Sequence, residues 1–165
     1  MGVVFLRKKE WKIYLFFILL CEAVGALSAL ISMVIGGWDA MSLIGVNQSE
    51  LTPPGFVFPI VWTILYALMG IGVARIWMAE QSKDRTRGLV IFSAQLAVNF
   101  LWSIIFFGFQ WFQLAFWWIL LLWIMIILMI IFYHKTDKIA AWLQVPYLIW
   151  VTFASYLTYM VWMIN

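Results

Sequence analysis

The sequence predicts an all-α integral membrane protein, a five-transmembrane-helix bundle forming one domain over residues 1–165, and three observations predict it. The chain is 67% hydrophobic and only 10% charged, with a mean hydropathy of +1.04. Its apolar residues gather in five runs, approximately 13–35, 57–79, 89–109, 114–133 and 140–163. All ten Lys and Arg residues sit at or beside the ends of those runs, on one side of the implied membrane.

A small soluble domain leaves much of its surface in water, so a chain this apolar has no single core large enough to hide its side chains. Each run has roughly the 20 residues that a helix rising about 1.5 Å per residue needs to cross about 30 Å of hydrocarbon. Helices satisfy their main-chain groups within one segment, whereas barrel strands would be half as long and would alternate in polarity.

The first run follows Arg7, Lys8, Lys9 and Lys12 and contains Glu22. It is too long for a secretory signal and has no small-residue cleavage pattern, so it reads as a retained span. Residues 36–56 then form a predicted outer loop carrying Trp38, Met41, Leu43, Ile44 and Leu51. Loops of about twenty residues act as lids, bind ligands or are disordered, and this apolar content argues against plain disorder. A lid over the mouth of the bundle and a tethered but idle loop are the two readings.

The second run opens with "PPGFVFPIVW". Pro53 and Pro54 suit a helix entrance, where a missing N–H costs nothing. Pro59 lies a turn inside and is expected to bend that helix end and tip Trp62 inward. "EQSKDRTRG" joins the second and third runs and "HKTDKIA" the fourth and fifth, both as solvated turns. Residues 36–56, 110–113 and those after 163 contain no Lys or Arg. The positive-inside rule therefore places the N-terminus in the cytoplasm and the C-terminus outside. The pI near 9.1 reports that topology, and basic groups spread over three short segments do not form a nucleic-acid-binding face.

One Cys, Cys21, excludes an intramolecular disulfide and a thiolate metal cluster and reads as a small hydrophobe. The single His, His134, falls at the cytoplasmic end of the fourth run. No HExxH, glycine-rich phosphate loop, Ser–His–acid spacing or pair of carboxylates on one span is present. Hydrolytic, metal-dependent and nucleotide-driven chemistry is thus not expected, and neither a metal nor a cofactor is.

What remains is polar and aromatic side chains at membrane depth. Counting residues from the cytoplasmic ends puts Asn99, Trp150 and Glu22 about 15 Å deep, and Trp62 roughly 10 Å below the outer surface. Gln95, Asn99, Trp102 and Phe106 are spaced as one helical stripe; Tyr147, Trp150, Ala154 and Leu157 form a second, and Trp62, Tyr66 and Gly70 a third. Taken singly, the amides read as interhelical hydrogen-bond glue and the indoles as packing. Taken together, with Ala154 and Gly70 opening space between large rings, they read as a cavity lined by aromatics and a few polar groups. Glu22, costly to ionise at that depth, is expected to be protonated or paired inside the bundle. Ser93 and Ala97, four apart on another side of the third span, offer a small-residue surface for a homodimer.

"TPPGFVFPIVWTILYALMGIG", "AQLAVNFLWSIIFF" and "VPYLIWVTFASYLTY" resemble the three signature stretches of the TspO/MBR family of tryptophan-rich sensory and translocator proteins, also called peripheral benzodiazepine receptors. The resemblance implies a five-helix bundle, commonly dimeric, that binds porphyrins such as protoporphyrin IX, sterols in its eukaryotic branch, and synthetic benzodiazepine-type ligands. By motif, it assigns Trp62, Asn99, Trp102, Tyr147, Trp150 and Ala154 to the pocket. Tyr66, Gln95 and Phe106 on the same stripes, and Trp38 in the loop, complete the candidate ligand-binding set. The chain departs from the family pattern at Trp38-Asp39, where Trp-Tyr is usual, and lacks the Lys-Pro pair before the prolines. After Tyr159 it has no basic residue, so sterol transport is not expected. The expected function is a porphyrin receptor or translocator for sensing, trafficking or photoprotective handling. The alternatives are a light-assisted porphyrin-degrading enzyme using Trp62 and Trp150, and a proton-coupled transporter using Glu22. Expected partners are a porphyrin or other hydrophobic small molecule, membrane lipid and a second copy of the chain, but no nucleic acid.

Overall fold

The computed structural model describes residues 10–43 and 45–165; the readings placed on Arg7, Lys8, Lys9 and Ile44 lie outside them. Five helices are long and apolar enough to span a membrane, and no strand occurs among the described residues. They are α1 (Glu10–Gly36), α2 (Val57–Met78), α3 (Lys83–Ser103), which continues as a π-helical turn over Ile104–Gly108, α4 (Phe112–Thr136), and a fifth span divided into α5 (Lys138–Trp142) and α6 (Val145–Ile164).

The connections at the basic end are fixed by capping. Ser82 starts α3, its hydroxyl accepting from Arg85 N–H at 3.0 Å. Arg85 in turn stops α2, donating from Nε to Ile76 O (3.1 Å), which also accepts from Ala79 N–H (3.2 Å), and from Nη2 to Trp77 O (2.6 Å). Asp137 caps α5 by accepting from the N–H groups of Ile139 and Ala140, and pairs with Arg75 at 2.8 Å. The fifth span breaks because Pro146 has no N–H to donate to Trp142 O, while Gln144 N–H turns to Ala141 O at 3.0 Å. Gln144 is fully buried and reaches Leu68 O on α2; a Cβ on Gly72 would collide with its amide.

The helices pack in two ways. Ser28, Ser32 and Gly36, each four apart, form a small-residue stripe on α1. Ser28 Oγ donates to Phe100 O at 2.6 Å, Ser32 Oγ lies 3.3 Å from Ser103 Oγ, and a Cβ on Gly36 would sit 2.7 Å from Phe107 O in the π turn. α4 instead presents Ala115, Ile119, Leu122, Ile126, Met129 and Tyr133, a buried stripe at alternating spacings of four and three that packs on α3 and α6.

Two expectations change here. Pro59 is the third residue of α2, where its N–H would have no intrahelical acceptor, so it begins the helix rather than bending it. Gly70 does not open space between rings: a Cβ there would lie 2.5 Å from Ile18 Cα, so its role is to let the α1 and α2 main chains meet. Residues 37–56 are anchored by buried Ala40, and half-buried Met41, Leu43 and Val46 pack against the core, while Trp38 is 82% exposed.

Candidate intramembrane site

α6 packs chiefly on α4. Side chains of α2, α3 and α6 meet in one layer, and they are largely the predicted ones. Tyr66 on α2 donates to Asn99 Oδ1 at 3.5 Å; Asn99 Nδ2 donates to Tyr147 OH at 2.8 Å; Tyr147 OH donates to Gln95 Oε1 at 2.9 Å. Gln95 Nε2 faces the Met69 sulfur at 3.9 Å. All five side chains are buried. The order follows from hydroxyl chemistry, since a phenol accepts and donates at once and can join two amides.

Aromatic rings wall this polar chain. Trp62 lies 5.6 Å from the Tyr66 ring and 6.2 Å from the Tyr147 ring. Further toward the π turn, Trp102 stacks on Phe106 at 5.2 Å with 15° between planes, and Phe107 and Phe112 meet the same group edge-on. Trp150, half-buried, packs between Phe58 and Phe153 at 5.8 and 5.7 Å. Ala154 is buried one turn further along α6. The indole N–H groups of Trp102 and Trp150 are both buried without an acceptor, while those of Trp118 and Trp123 are satisfied by Val98 O and Thr152 Oγ1. Spare buried donors are uncommon in a finished core.

Sequence reasoning missed Met69, although its position three residues after Tyr66 puts it on the same stripe. It also missed buried Gln144, which no periodicity marks because it lies at the break in the fifth span. Trp38 is on the loop, away from this layer's ring contacts. Glu22 is half-buried one turn from Gly25, where the Tyr66 ring presses against α1. Of the two expected states, protonated or paired, no ion pair is found for it among the described residues, where the pairs are Arg75–Asp137 and Arg87–Asp84. An open apolar groove of about 420 Å³ runs elsewhere, between α1, α2 and α3, lined in part by Phe17, Leu20, Val73, Trp77, Ser93 and Ala97. It holds none of the polar chain.

The arrangement offers flat ring faces and two buried indole donors without acceptors, while its amides and phenols are hydrogen-bonded to one another. The sequence profile of the TspO/MBR family matches residues 17–163. The tryptophan-rich protein TspO of Chlorobaculum tepidum is 37% identical over 147 residues, 88% of this chain and 91% of that protein. Protein CrtK of Rhodobacter capsulatus is 32% identical over 88% of each chain. The translocator protein of Bos taurus is 34% identical over 115 residues, 68% of each chain.

Proposed function

Because the chain belongs to the TspO/MBR family and is an integral membrane protein, we propose that it is a receptor or translocator for porphyrins of the protoporphyrin IX type, bound among Trp62, Tyr66, Asn99, Trp102, Tyr147, Trp150 and Ala154. The observation that carries the reading is the layer where side chains of α2, α3 and α6 join in one hydrogen-bonded chain, together with the buried indole N–H groups of Trp102 on α3 and Trp150 on α6 that have no acceptor. A tetrapyrrole offers a flat π surface for the rings and carboxylate acceptors for those donors. The exposed His134 lies at the basic end, so binding needs no protein ligand on a porphyrin metal.

Titration with metal-free protoporphyrin in lipid nanodiscs tests this through quenching of Trp fluorescence. Trp62→Phe and Trp150→Phe should keep the fold and weaken the quenching. Ala154→Leu should lower affinity by filling the layer, at an overpacking cost of about 1–3 kcal/mol. Parent-like binding by all three variants would move the site elsewhere.

A second reading is light-assisted porphyrin degradation, favoured by the contact of Trp62 with two hydrogen-bonded phenols; loss of porphyrin absorbance under illumination with product formation would establish it. A third, proton-coupled transport, draws on the unpaired half-buried Glu22, and unchanged flux in Glu22→Gln would remove it. The proposal includes a bacterial plasma membrane with the basic end in the cytoplasm, and a homodimer through exposed Ser93 and Ala97 on α3.

A further inference from the structure

The loop between α1 and α2 is fastened to the end of α6 by a single side chain. Asn47 N–H donates to Asn165 Oδ1 at 3.0 Å, and Asn165 Nδ2 donates to Asn47 O at 2.9 Å. One primary amide thus satisfies both main-chain groups of one loop residue, as a neighbouring strand would. The same Nδ2 donates to Val161 O at 2.9 Å, which orients the amide on its own helix.

The position matters as much as the bonds. Ala154, Thr158 and Val161 form a buried stripe on α6, and Asn165 continues it, about 16 Å beyond Ala154 along the helix. On the loop side, the left-handed residues Leu43 and Gly45 turn the chain just before the fastening, and half-buried Val46 packs on the core beside it.

We propose that Asn165 is the latch of the 37–56 loop, and that its release admits ligand to the aromatic layer and lets ligand out; the gating half of this rests on the ligand-binding reading above. Both hydrogen bonds are exposed, so their release frees the part of the loop beyond Asn47 while Ala40, Met41, Leu43 and Val46 stay packed on the core and the bundle stays folded. Asn47 contributes main-chain atoms alone, so the latch depends on the amide at 165 and not on the side chain at 47.

Hydrogen–deuterium exchange of the 41–52 segment in nanodiscs reads the latch directly. Asn165→Leu should speed exchange there by about tenfold, the loss expected of two partly exposed hydrogen bonds. Asn165→Asp, which keeps the acceptor and loses the donor, should fall between, and Asn47→Ala should match the parent. Protoporphyrin release, followed by recovery of Trp fluorescence, should accelerate in the same order. Unchanged exchange in Asn165→Leu overturns the latch, whatever the ligand. Faster exchange with unchanged release overturns the gating. Faster exchange in a protein whose parent binds no protoporphyrin supports the latch and sinks the porphyrin reading instead.

Discussion

Toward α1, α3 ends in a seam of small residues where the main chains nearly touch, with Ser28, Ser32 and Gly36 set against the π turn. Toward α6, α3 presents Gln95 and Asn99, and the contact is made by their hydrogen bonds to Tyr147. At Ser28, Ser32 and Gly36 the first contact leaves no room for another molecule, and the open groove of about 420 Å³ lies beside it, toward α2. The second is made by long side chains that turn about their own bonds. The difference is between helices held main chain to main chain by small residues and helices joined through hydrogen-bonded side chains, and the proposed ligand site draws on the second kind.

Three substitutions break or sharpen this contrast. The largest effect belongs to the close-packed seams. Gly70→Leu places its Cβ against the Ile18 main chain, which has no rotamer to yield, and should cost about 3 kcal/mol, measured as lost resistance to unfolding in mixed micelles. A parent-like unfolding midpoint would show that α1 and α2 are not locked at this point.

Tyr147→Phe comes next. It leaves Asn99 Nδ2 and Gln95 Oε1 without their shared hydroxyl, for a loss of about 2 kcal/mol if nothing replaces it. Because Tyr147 stands in the proposed site, bound protoporphyrin should recover part of that loss, which ligand-dependent thermal unfolding measures. Equal destabilisation with and without ligand would mean that Tyr147 is glue alone.

The smallest effect is expected at Arg87→Ala. Its exposed pair with Asp84, at 3.5 Å and three residues apart, should be worth no more than about 0.5 kcal/mol in the same unfolding assay. A larger loss would mean that the basic end contributes more to the bundle than its capping bonds.

Much of this is legible in the sequence. Five spans follow from run length and hydropathy because each helix satisfies its own main chain in lipid, independently of its neighbours. The stripes on α3 and α6 follow from helical periodicity, which is why spacing alone singles out Gln95, Asn99 and Tyr147. Tertiary structure alone decided which stripe meets which. Gly70 shares a stripe with Trp62 and Tyr66, yet it packs on Ile18, because a helix of this burial has partners on more than one side. The break before α6, the π turn after Ser103 and the Asn47–Asn165 fastening are invisible to periodicity as well. Each depends on hydrogen bonds whose acceptors are chosen by packing, and local sequence fixes only the groups that have to be satisfied.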